Sequence, residues 1–108
     1  MGALLPAVEA RIKVVILDSG GLYSERTFPE VDQINFTSRI RMPVLMVNAH
    51  YDHFFPLETS QNPMLRLFGT PDKDKRHVVV DSWYAVSVFA VVKEALEWLD
   101  RYAGPVAR

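Results

Sequence analysis

Residues 50–53 read His-Tyr-Asp-His and place two imidazoles and a carboxylate within four positions. Imidazole nitrogens ligate metals and move protons near neutral pH, and a carboxylate can orient either one. The spacing H-x-D-H matches no standard ligand arrangement, so His50, Asp52 and His53 are read as loop residues and no metal is expected. Free imidazole titrates near pH ~6.5, so a ligand held beside His50 and His53 would bind in a pH-dependent way. His77 enters an apolar run and is read as structural. A second segment of interest runs from Asp81-Ser82-Trp83-Tyr84 into Val86-Ser87-Val88-Phe89. Ser87 suits a helix N-cap, yet Val88, Phe89 and Ala90 then fill a first turn where acidic residues are favoured. Trp and Tyr are the residue types enriched at the energetic centres of protein interfaces. The chain has no cysteine, which excludes disulfides, thiolate zinc sites and a thiol nucleophile. No cofactor-binding motif is present, and no cofactor is expected.

The elements that must position these residues follow from the apolar pattern. The chain has 108 residues, 49% apolar and 23% charged, with a net charge of −1. That fits one globular domain over residues 1–108 and gives no reason to expect nucleic-acid or membrane partners. The N-terminal segment lacks a basic region and carries Glu9, so no targeting signal is read and a cytoplasmic location is expected. No apolar run approaches the ~20 residues of a membrane-spanning helix. Ile12–Leu17, Val44–Val47 and Val78–Val80 are continuous apolar runs, as in strands buried on both faces of a parallel sheet. Helical patterns cover Leu57–Phe68, with a break near Pro63 and Gly69 as C-cap, and Val88–Ala103, stopped by Gly104-Pro105. In the second, Val88, Val92, Ala95, Leu96, Leu99 and Tyr102 form one stripe expected to face the core. A short helix is expected over Ala3–Ala10 and a helical turn near Asn35–Arg39, with Thr70–Lys75 as a solvated loop. The implied fold class is α/β: a three-layer arrangement with a short parallel sheet of about three strands and helices on both faces.

The segments PEVDQINFTSRIRMPVLMVN (29–48), YDHFFPLETSQNPMLRLFGTPDKDKRHVVVDS (51–82) and KEALEWLDRYAGP (93–105) resemble the C-terminal third of the α/β-hydrolase fold. More narrowly they are similar to dienelactone-hydrolase-like and acyl-peptidase-like esterases. In that family the triad runs in the order Ser, acid, His, with the Ser on a Gly-x-Ser-x-Gly turn. The resemblance puts Asp52 at the position of the acid and Trp83-Tyr84 where Gly-His would stand. No Gly-x-Ser-x-Gly occurs, and the start of the chain resembles residues just after that turn. The family reading is therefore a hydrolase fragment in which Asp52 is a vestigial acid and Tyr84 replaces the histidine. A phenol with a pKa of ~10 is a poor proton shuttle at neutral pH, so no enzyme activity is expected.

The departures from the family pattern cluster in two loops, at Ala49, His50 and His53 and at Trp83 to Ala90. Both loops follow carboxyl ends of strands, where open α/β sheets bind ligands. The expected function is a non-catalytic protein-binding domain, a designed or selected binder on a hydrolase scaffold. Its contacts are expected from Trp83, Tyr84, Val86, Ser87, Val88 and Phe89, with His50 and His53 at the rim. Two alternatives stand beside it. One is a homodimer through the Ile12–Leu17 strand edge or the Trp83/Phe89 patch, and the other is weak residual esterase activity through His50 or His53.

Overall fold

The second apolar run and the two residues after it, Val44–Ala49, are completely walled in, and the rest of the molecule is arranged around them. The computed structural model describes residues 3–83 and 86–104. Strand β2 spans Val44–Ala49 and is buried along its whole length. Strand β1 (Val15–Asp18) and strand β3 (Lys75–Val80) flank it, both parallel to it, in the order β1-β2-β3. A central parallel strand is covered on both faces, which is why its sequence is apolar without alternation.

Side chains of β2 divide between two clusters. Val44 and Met46 pack with Val15, Leu17, Ile40, Met64 and Phe68 on one face. Leu45 and Val47 pack with Val86 and Trp98 on the other, joined by Val14, Ile16, Val78, Val80 and Val91. The first face is covered by helices α1 (Leu5–Val8) and α2 (Asn62–Leu67), the second by helix α3 (Val88–Ala103). The three-layer α/β architecture expected from the sequence is therefore present.

The boundaries differ where backbone hydrogen bonding overrides composition. Strand β1 begins at Val15 and not at Ile12, because pairing starts with the Val15 amide donating to Pro43 O (2.9 Å). Strand β3 starts at Lys75, so three polar residues of the expected loop and its exit join the sheet. The first helix is one turn and not eight residues. The helical turn near Asn35–Arg39 is two 3-10 turns, Gln33–Asn35 and Thr37–Arg39. The segment before α2, Leu57–Gln61, is a π-helical turn in which the Ser60 and Gln61 amides both donate to Pro56 O. Pro63 follows in the first turn of α2, where a missing N–H is harmless.

Gly69 is not the left-handed cap the sequence suggests. Helix α2 ends at Leu67 with Phe68 as cap, and a Cβ on Gly69 would lie 2.4 Å from Ser38 O. Its glycine serves close backbone approach. Gly104 ends α3 as expected, with a positive φ of 82° and ψ of 152° that a side chain would disfavour.

The largest correction concerns α3. Its buried anchor is Trp98, 2% exposed, flanked by Val91 and Tyr102. Val92, Leu96 and Leu99, expected in the core, are 39–54% exposed, and Val88, expected at the contact surface, is 73% exposed. The Tyr102 hydroxyl donates to Asp74 Oδ1 (2.8 Å), and Arg76 on β3 approaches Glu94 to 3.0 Å and Glu97 to 3.8 Å. These contacts fix the rotation of the helix and turn the aliphatic stripe outward.

Candidate functional site

The loops after β2 and β3 meet at the carboxyl edge of the sheet. The His50 amide donates to Val80 O (2.8 Å) and the Tyr51 amide to Ser82 O (3.0 Å), which locks the two loops side by side. Above this junction lies an aromatic cluster. The Tyr51 ring lies 5.2 Å from Trp83 and 4.6 Å from His50, and His53 stacks on Trp83 at 6.0 Å. Trp83 keeps 68% of its surface exposed. The structure thus brings together three of the residues singled out from the sequence, His50, His53 and Trp83.

The others are distributed differently. Val88 and Phe89 lie on the first turn of α3, and Phe89 is 89% exposed. Neither makes a ring contact with the Trp83 cluster among the described residues. The Ser87 hydroxyl accepts from the Ala90 amide (3.3 Å), so Ser87 is occupied as the N-cap. Val86, expected at the contact surface, is buried against Leu45, Val47 and Trp98 and belongs to the core. Tyr84 lies outside the described residues.

Tyr51 was not singled out from the sequence, although it is the ring that joins His50 to Trp83. Its position between two histidines was the available signal. Tyr23 and Phe55 (5.5 Å apart) line, with Ser24, Glu25, Thr27 and Phe54, an open groove of about 550 Å³ at the same sheet edge. Nothing in the spacing of those residues links positions 23–27 to 54–55; the sheet does.

Asp52 is 3% exposed. Its Oδ1 accepts from the Phe54 (2.8 Å) and Phe55 (3.0 Å) amides and so closes the turn after β2. Its Oδ2 is buried with no hydrogen-bond partner among the described residues. The resemblance makes this residue a triad acid, whose free oxygen would accept from a histidine ring, and no described imidazole donates to it. Asp52 therefore acts here as a turn-former. Asp52→Ala is expected to destabilise the chain by about 1–3 kcal/mol, because two amides lose their acceptor. Asp52→Asn keeps Oδ1 and removes a buried charge, and is expected to be neutral or stabilising. Urea unfolding of both variants checks this, and equal losses in both would contradict it.

Beneath the site sits a polar network. Asn48 Nδ2 donates to Gly20 O (2.7 Å), and Gln61 Nε2 donates to Ala49 O (3.0 Å) and Phe55 O (2.7 Å). These bonds fix both amides, so their oxygens face His77 Nε2, at 3.1 Å and 3.2 Å. Nε2 must then carry the proton of a neutral ring. The network ties the loop after β1 to the loop after β2, which makes His77 structural, as read from the sequence. Burial lowers the His77 pKa below its ordinary 6.5. An unfolded chain therefore takes up this proton first as the pH falls. Stability is expected to be full above about pH 6.5, then to decline as the pH drops toward the folded-state value. Urea midpoints across about pH 5–8 check this, and a flat profile would contradict it.

Comparisons with known proteins place the fold. No family model matches the sequence, and no curated protein matches it. Among solved structures, a cold-adapted esterase from an Arctic intertidal metagenomic library superposes with a TM-score of 0.75 at 22% identity. The match covers 94% of this chain and 43% of that one. The zinc-bound form of such an esterase gives a TM-score of 0.73 at 21% identity over 91% and 42% of the two chains. The esterase Pf2001 of Pyrococcus furiosus gives 0.70 at 17% identity over 95% and 49%. The chain spans less than half the length of each. Identities this low establish a shared fold, that of α/β-type esterases.

Proposed function

We propose that this chain is a non-catalytic protein-binding domain on an α/β-hydrolase-type scaffold. Its contact surface is the carboxyl edge of the sheet. The observation that carries this reading is Trp83, held largely exposed in one ring cluster with Tyr51 and His53. An exposed indole costs solubility unless something covers it, and indole and phenol rings supply large contact area with little side-chain entropy to lose. Phe89 and Val88 extend the apolar surface along the first turn of α3, and His50 and His53 supply a polar rim. The partner that fits is a protein with an aliphatic or aromatic pocket for the Trp83 ring. Tyr84 remains part of the proposal on sequence grounds. The concentration of departures in two neighbouring loops supports a selected binding surface over gradual drift.

Asp52 supports the non-catalytic half of this reading, since one carboxylate oxygen closes a turn and the other meets no imidazole. The test is selection of a displayed random peptide library against the chain. Recovered peptides are expected to bind Trp83→Ala at least ~30-fold more weakly, equivalent to the ~2 kcal/mol of an interface hot spot. Measuring at about pH 8 and about pH 5.5 reports the part played by His50 and His53. Equal affinity for wild type, Trp83→Ala and Phe89→Ala would remove the proposal.

A further inference from the structure

We infer that the groove between the loops after β1 and β2 binds a small organic cation, a molecule with a quaternary ammonium head. Tyr23, Glu25, Phe54 and Phe55 line this groove of about 550 Å³, with Ser24 and Thr27 beside them. Small-molecule sites ordinarily enclose ~300–1,000 Å³. The two walls come from two internal segments of the chain, and each is held in place by its own hydrogen bonds.

The first wall is anchored at both ends. Gly20 O accepts from Asn48 Nδ2 (2.7 Å), Gly21 O from Gln33 Nε2 (2.8 Å) and Leu22 O from the Ser60 hydroxyl. At the far end, Arg26 Nε (2.5 Å) and the Thr27 amide (3.2 Å) donate to Asp32 Oδ2. Tyr23, Ser24 and Glu25 span the interval between these anchors. In the second wall, the Phe55 amide donates to Asp52 Oδ1 (3.0 Å) and the Phe55 carbonyl accepts from Gln61 Nε2 (2.7 Å). The Phe55 ring lies so close to Gly21 that a Cβ there would stand 2.8 Å from Phe55 Cδ1. The groove is thus formed before a ligand arrives, which spares the ordering cost of binding to loose loops.

The chemistry of the lining selects the ligand. The Tyr23 and Phe55 rings stand 5.5 Å apart at 56°, a corner and not a stack. A cation within ~6 Å of a ring centroid is attracted by the negative face of the π system, and two rings at an angle can both meet it. Phe54 adds a third, exposed ring. Charge favours the same ligand. Residues 18–32 and 49–63 carry six carboxylates against one permanent cation, Arg26. Arg26 is held by Asp32, and Glu25 enters no ion pair among the described residues. The groove therefore has an uncompensated carboxylate in its wall, in a local field that attracts positive ligands. A quaternary ammonium suits this set because its methyl groups are weakly hydrated and it needs no hydrogen-bond acceptor. A metal ion needs several oxygen or nitrogen ligands, and no group of three His, Asp or Glu side chains gathers to hold one among the described residues. The groove shares no residue with the Trp83 cluster, so this site goes beyond the protein-binding surface and is tested separately.

The test is an NMR titration of the 108-residue chain with choline chloride and with 3,3-dimethylbutan-1-ol, a neutral molecule of nearly the same shape, at matched ionic strength. Choline is expected to bind in the low millimolar range, at least ~tenfold more tightly than the alcohol. The amide shifts are expected to centre on the lining residues of the groove. Glu25→Gln is expected to weaken choline at least ~threefold and to leave the alcohol unchanged. Tyr23→Leu keeps an apolar side chain and removes a π face, and is expected to weaken choline by at least ~threefold. Choline affinity is expected to be the same in Trp83→Ala, whatever that variant does to protein binding. Equal affinity for choline and the alcohol in the wild type would overturn the inference, and this comparison needs no variant to fold. So would a lack of saturation up to about 100 mM choline, or shifts centred on Trp83. A peptide carrying trimethyl-lysine that binds at least ~tenfold more tightly than choline would put the cation on a protein partner and overturn the small-molecule assignment.

Discussion

Trp98→Ala is expected to cost about 3–5 kcal/mol, which would leave a domain of this size unfolded or nearly so. Trp98 is the one residue of α3 buried completely enough to pin the helix to Leu45 and Val47 of the central strand. Truncating it empties the space between the two layers, and a rigid sheet on one side leaves little room for collapse. Leu96→Ala and Val92→Ala, by contrast, are expected to stay within about 0.5 kcal/mol in the monomer, the usual range for surface positions. Trp98→Phe should fall far short of the alanine variant. It keeps most of the ring volume and removes an indole N–H that is buried without an acceptor among the described residues. Urea unfolding at a concentration below that of any self-association checks the order. A larger loss at Leu96 than at Trp98 would mean that α3 presents its aliphatic stripe, and not Trp98, to the sheet.

The second large effect is expected at Gly69. A methyl group there would lie 2.4 Å from the Ser38 carbonyl oxygen and 3.2 Å from Ile40 O, both backbone atoms with no freedom to turn aside. Thr70 fastens the same crossing by donating to Met42 O (2.6 Å). Gly69→Ala is expected to cost about 1–3 kcal/mol or more, the penalty of forcing extra volume into a packed contact. Gly104→Ala, at a positive-φ residue with open space around it, should cost about 1–3 kcal/mol by strain alone. Thermal unfolding of the two variants checks the contrast. An alanine tolerated at position 69 would show that the approach of Ser38 is not obligatory.

These two sites also show what the sequence could convey. The three β-branched runs announced a parallel sheet, but only Val44–Val47 is buried on both faces as expected; β1 is partly buried and β3 has no fully buried residue, with Val79 38% exposed. The Ser87 cap and the Gly104 stop marked the bounds of α3 for the same local reason. The rotation of α3 was not legible. Its aliphatic residues at 88, 92, 96 and 99 and its aromatic residues at 98 and 102 offer two competing stripes. The choice is made by Arg76 and Asp74, which reach the helix only through the tertiary fold. The role of Gly69 was hidden likewise, since the atoms it must avoid belong to residues about thirty positions away. At the site, the two loops could be placed at one sheet edge from strand order alone. The burial of Val86, however, and the bridging ring of Tyr51 depend on how each loop turns after leaving its strand.

Esters offer the most direct test of the central claim that the carboxyl edge binds and does not turn over substrate. The measurement is hydrolysis of a nitrophenyl ester by wild type, His50→Ala, His53→Ala and Asp52→Asn at neutral pH. The expected rate is no faster than that of free imidazole at equal concentration, without saturation in substrate and unchanged by Asp52→Asn. Saturable turnover that falls when Asp52 or either histidine is replaced would contradict the claim. The domain would then be an esterase whose catalytic groups are assembled at this edge.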